Sequence, residues 1–189
     1  MEALLASILV VAVGEIGYKT QLLALMLAAR LRRPVPIILG ILVATLANHT
    51  LAAFVGDWVR HALPGQWLRW LVAASFFAVA LWALKPDRAQ DSARVPAGRL
   101  GAFALTALAF FLAEMGDKTQ IATAVLAAQF GNIAAVVTGT TLGMLLADVP
   151  VVLLGNAGAR RIPFRLVRMI AAALFALMGI VAWVGPLPV

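Results

Sequence analysis

Two stretches decide how this chain is read: Glu15-Ile-Gly-Tyr-Lys-Thr-Gln21 and Glu114-Met-Gly-Asp-Lys-Thr-Gln120. They match at an offset of 99 residues, and each interrupts a long apolar run, over residues 3–29 and 100–128. The same offset pairs Leu27-Ala-Ala29 with Leu126-Ala-Ala128, Gly40 with Gly139, Gly56 with Gly155, and His49 with Asp148. The chain therefore repeats internally, and each copy carries charge in the middle of an apolar segment.

The surrounding composition says what solvent those segments meet. Of 189 residues, 63% are hydrophobic and 12% charged, with a mean hydropathy of +1.00. Ordinary globular chains run at about 45–50% and 25%. So few polar groups leave a water-facing surface uncovered, which predicts an integral membrane protein. Six segments approach or exceed the roughly 20 apolar residues of a membrane helix: 3–29, 35–54, 67–84, 100–128, 133–154 and 166–184. No period-two strand pattern competes, so the expected fold is all-α. The start, Met1-Glu2-Ala3, lacks the basic region of a signal peptide, and the first run reads as a retained span.

Charge placement gives the expected orientation. Eleven of the fifteen Lys and Arg residues (Arg30, Arg32, Arg33, Lys85, Arg88, Arg94, Arg99, Arg160, Arg161, Arg165 and Arg168) fall in or beside the first, third and fifth loops. Only Arg60 and Arg69 lie on the other face, and Lys19 and Lys118 lie inside spans. Basic loops face the cytoplasm, so both termini are expected outside it, in a bacterial inner membrane. The net charge of +7 thus reads as orientation, and no nucleic-acid partner is expected. All five tryptophans, Trp58, Trp67, Trp70, Trp82 and Trp183, fall near span ends, where amphipathic rings settle.

Three spans per half is an odd number, so the second half is predicted to run inverted to the first. The organisation expected is one three-helix repeat over 1–84, a cytoplasmic linker over 85–99, and a second repeat over 100–189. Inverted repeats are common in secondary transporters, with the site near the midplane. Small flat helix faces could also dock a second copy of the chain as a homodimer.

Four acids, Glu15, Glu114, Asp117 and Asp148, lie inside apolar spans. An ionisable group there costs at least about 2.5–3.5 kcal/mol, which makes function the default reading. The bland alternative is that Glu15 with Lys19, and Glu114 with Lys118, neutralise each other at i,i+4. It leaves Asp117 and Asp148 unexplained. Four carboxylates and two lysines sum to −2, a charge that one divalent cation or two protons would cancel. On a continuous helix Glu114, Asp117 and Lys118 share a face, as do Glu15, Tyr18 and Lys19. Gly17 and Gly116 serve either close packing or local unwinding. Gly40/Ala44 and Gly139/Gly143 are small-residue spacings suited to tight helix contacts.

The other polar groups at depth, Thr20, Thr119, Thr123, Gln21, Gln120 and Asn48, supply oxygen, which favours Mg²⁺, Ca²⁺ or Mn²⁺. His49 reads either as a structural group or as a proton carrier. With no cysteine, thiolate metal sites and cysteine nucleophiles are excluded. No GxSxG or HExxH motif is present. An enzyme is not expected, nor a cofactor beyond the transported cation.

The second motif, Glu114-Met-Gly-Asp-Lys-Thr119, resembles a membrane family marked by two Glu-x-Gly-Asp-(Lys/Arg)-(Thr/Ser) motifs, among them Golgi cation/proton exchangers and bacterial MneA-type manganese exporters. The resemblance spans nearly the whole chain. It implies export of Mn²⁺, with Ca²⁺ in relatives, exchanged for protons, with Glu15, Glu114 and Asp117 as ligands. Tyr18, Lys19, Thr20, Gln21, Asn48, His49, Lys118, Thr119, Gln120 and Asp148 would then shape the surroundings or a proton path. Tyr18 departs from the family pattern, standing where the family has Asp. The alternatives are a transporter of Ca²⁺ or another cation, or a non-transporting scaffold subunit whose paired charges lock helices together.

Overall fold

The computed structural model describes residues 1–17, 19–85, 101–154 and 164–185. Tyr18, the linker beyond Lys85 and the basic residues Arg160 and Arg161 lie outside them. Among the described residues there are eight helices and no strand: α1 (Glu2–Glu15), α2 (Lys19–Leu31), α3 (Pro34–Ala62), α4 (Gly65–Ala83), α5 (Ala102–Glu114), α6 (Lys118–Phe130), α7 (Ile133–Leu154) and α8 (Phe164–Val184).

Local chemistry explains the boundaries. Pro34 opens α3, where a missing N–H costs nothing. Gly131, at φ +61°, closes α6 by donating its N–H to the Ala127 carbonyl, a left-handed cap that glycine adopts without strain. The two motifs stop α1 and α5 for the same reason. Gly17 (φ +83°) and Gly116 (φ +75°) turn the backbone left-handed directly after Glu15 and Glu114. The runs over 3–29 and 100–128 are therefore broken helices rather than continuous ones. Across the first break α1 and α2 are bent by 71°. A 14-residue α1 is about 21 Å long, short of the roughly 30 Å hydrocarbon core, so it does not cross alone. Four helices are long and apolar enough to cross (α3, α4, α7 and α8), and the bent α1–α2 pair reaches the same length and apolarity only when its two helices are taken together.

The starts of α2, α3 and α4 recur 99 residues later as the starts of α6, α7 and α8. Packing follows the same rule: α1 lies on α7 and α5 on α3, while α3 meets α7 and α4 meets α8. One apolar cluster joins α4, α6 and α8 around Phe76, Leu126 and Phe175, and another joins α2, α3 and α5 around Leu27, Ile41 and Phe110. Polarity is inside out. Glu15, Asn48, His49, Glu114, Lys118 and Asp148 are fully buried, while Phe54, Leu81, Leu146 and Leu177 face outward. That arrangement suits an apolar solvent.

The small-residue spacings are packing devices. A Cβ on Gly139 would stand 2.6 Å from the Leu4 carbonyl oxygen, and one on Gly40 2.8 Å from that of Phe103. Both obstacles are backbone and neither can yield locally. Gly139→Ala is expected to cost about 1–3 kcal/mol through overpacking, read as a lowered melting temperature in detergent. An unchanged melt would show that α1 and α7 are not so closely apposed.

Candidate ion-binding site

Each helix break is closed by the glutamine of its own motif. The Gly17 N–H donates to Gln21 Oε1 at 2.8 Å, and the Gly116 N–H donates to Gln120 Oε1 at 2.7 Å. The other ends of both amides reach across the molecule: Gln21 Nε2 donates to the Ala147 carbonyl (2.9 Å) and Gln120 Nε2 to Asn48 Oδ1 (3.5 Å). Asn48 in turn donates to the Phe111 carbonyl at 3.0 Å. These three side chains hold unwound backbone in place.

The breaks put the acids on separate elements. Glu15 ends α1, Glu114 ends α5, Asp117 caps the N-terminus of α6, and Asp148 comes from the middle of α7. All but Asp117 are fully buried, and Asp117 is 3% exposed. Thr20 donates a hydrogen bond to Glu15 Oε2, and Thr45 donates one to Glu114 Oε1 at 3.2 Å. His49 Nε2 lies 4.0 Å from Glu114 Oε2, too far for a hydrogen bond. Among the described residues, five carboxylate oxygens keep no hydrogen-bond partner: Glu15 Oε1, Glu114 Oε2, Asp117 Oδ2 and both oxygens of Asp148. Buried acceptors are costly in that condition, and a cation or a proton is what they accept.

Lys19 does not pair as i,i+4 spacing on one helix would have it. Lys19 Nζ stands 3.3 Å from Asp117 Oδ1, so the ion pair joins the first half to the second. The cause is the bend, which removes the shared helix face on which Lys19 would meet Glu15. Lys118 is fully buried and acts electrostatically on Glu15, again across the halves. Glu15, Glu114, Asp117 and Asp148 likewise act on one another's charge. Among the described residues no three His, Asp or Glu side chains stand in geometry to hold a metal, so the acids form a charged belt and not a closed cage. Thr119 and Thr123 are buried in α6, and the Thr123 hydroxyl bonds to its own helix at the Thr119 carbonyl. Thr45 was not singled out from sequence. Its spacing to Asn48 and His49 puts all three on one face of α3, a signal that was available.

Two short broken helices bring buried acids from both halves together, and a family comparison identifies this arrangement. The profile of the divalent cation/proton antiporter GDT1 matches residues 3–91 and 102–187, segments that start 99 residues apart. The chain belongs to the GDT1 family. As a GDT1 member it is a membrane transporter and not an enzyme, with a divalent cation and protons as substrates. It is 49% identical to a Vibrio cholerae serotype O1 protein named "Putative manganese exporter", over 95% of this chain and 90% of that one. It is 30% identical to the "GDT1-like protein sll0615" of a Synechocystis species, over 97% of both chains. No solved structure matches the chain.

Proposed function

We propose that this GDT1 protein exports Mn²⁺ from a bacterial cytoplasm across the inner membrane in exchange for protons. Glu15, Glu114 and Asp117 ligate the ion once a movement of the helices draws them closer than they stand in this structure, and Asp148 and His49 orient them or pass protons. What carries the reading is the set of five carboxylate oxygens on α1, α5, α7 and the α6 cap that have no partner among the described residues. An all-oxygen set suits hard divalent ions, and the similarity to a protein named as a manganese exporter favours Mn²⁺ among them. In this reading α5 and α6 together form a sixth span, as α1 and α2 form the first. The halves, 1–84 and 100–189, are then inverted repeats joined by a cytoplasmic linker, with both termini outside.

Flux into proteoliposomes under an imposed pH gradient tests this directly. Mn²⁺ is expected to move with the gradient and to outcompete Mg²⁺ at equal concentration. Ca²⁺ carried in preference would move the assignment to calcium. No flux of any divalent ion from correctly inserted protein would leave the scaffold reading.

A further inference from the structure

A cavity of about 370 Å³ opens where α4 begins and α8 ends, lined among the described residues by Gln66, Arg69, Trp70 and Trp183 and by none of the four acids. Trp70 and Trp183 hold its walls together as an edge-to-face pair, ring centroids 4.3 Å apart and planes at 67°. Both rings are about half exposed, as expected of tryptophans at the edge of a bilayer.

Arg69 is the unexplained member. It is half-buried, its Nε is shielded from solvent without a hydrogen-bond partner, and it makes no ion pair among the described residues. A guanidinium N–H shielded from water and left without an acceptor is unfavourable. It is also one of two basic residues on the face that otherwise sheds them, Arg60 being the other. Arg60 is already engaged, with its Nη1 at 3.4 Å from the Gln129 carbonyl at the C-terminus of α6. Positive charge kept at a membrane boundary, in a cavity walled by indoles, is chemically matched to a phosphodiester. The planar guanidinium offers two parallel N–H groups to its oxygens, the Gln66 amide offers another donor, and the rings flank the glycerol backbone.

We propose that this cavity seats the phosphate headgroup of an anionic phospholipid, with Arg69 as its anchor. The site is independent of the cation pathway and binds lipid whichever ion is carried.

The test is native mass spectrometry of the full-length protein released from detergent, titrated with phosphatidylglycerol. One tightly retained lipid is expected, with at least fivefold weaker retention in Arg69→Gln and partial rescue in Arg69→Lys. Equal retention by wild type and Arg69→Gln would overturn the proposal. Should that variant fail to fold, the wild-type protein decides. Diacylglycerol with the same chains, which lacks phosphate, should give less than one fifth of the phosphatidylglycerol occupancy, and equal occupancy would overturn it. Inorganic phosphate at millimolar concentration should not displace the lipid. Displacement with a phosphate adduct would assign the cavity to the free anion instead.

Discussion

Replacing Glu114 by Gln should lower gradient-driven Mn²⁺ flux by at least 100-fold while the protein still inserts and folds. The substitution is nearly isosteric, and the Thr45 hydroxyl, which donates to Oε1 at 3.2 Å, finds the same acceptor in the amide. Only the charge is lost. Glu114 interacts electrostatically with Glu15, Asp148 and Asp117. A hard divalent ion binds carboxylate far better than amide oxygen. A 100-fold loss corresponds to about 2.7 kcal/mol, a modest amount for one charged ligand at membrane depth. Flux within threefold of wild type, from protein with an unchanged melting temperature, would remove Glu114 from the site.

Lys19→Met should act in the opposite sense on binding. The ammonium 3.3 Å from Asp117 serves as a resident cation, which an incoming metal has to displace from that carboxylate. Lys19 is 17% exposed, so the pair is partly screened and worth on the order of 1 kcal/mol. Deleting it removes the resident cation from Asp117, so an arriving metal has nothing to displace there. The Mn²⁺ KM is expected to fall about fivefold, and kcat to fall with it because release becomes slow. A purely structural lysine would lower kcat without tightening KM, so the split between the two constants separates the roles. Lys19→Arg should stay close to wild type on both, since it keeps the charge.

Much of this was legible from spacing, and what was not has definite causes. The repeat at 99 residues foretold which helices would correspond, since it is a property of the chain that folding does not alter. The glycines carried two readings that sequence leaves equal, and the structure divides them by position. Gly40 and Gly139 are close-packing contacts, whereas Gly17 and Gly116 carry positive φ and break their helices. That division governs the site. Once the helix is broken, i,i+4 spacing no longer means proximity, so Lys19 meets Asp117 of the other half instead of Glu15. Gln21 and Gln120 were legible as polar groups at depth, but their work is to hold the Gly17 and Gly116 backbone, a partner no composition argument supplies. Thr45 went unnoticed because a threonine in an apolar helix is ordinary: its hydroxyl can bond within its own helix, as those of Thr106 and Thr140 do.

The glycine contacts have a mechanical meaning. Where the Cβ-less faces of α7 meet α1, and that of α3 meets α5, the glycines lie against backbone and the Cβ atoms of Ser7 and Thr106, with no long side chain at the contact to slide or re-pack. Each pair is in effect a single plank, and each plank carries one terminal glutamate and one polar group of the facing helix: Glu15 with Asp148 on the first, Glu114 with His49 on the second. Any movement that widens or narrows the belt of acids must then run along the seam between planks, where α3 meets α7. The ion-pairing Lys19 and Asp117 belong to neither plank's interior but stand at the helix breaks beside them. A staple driven through one plank would leave transport running, and a staple across the seam would stop it.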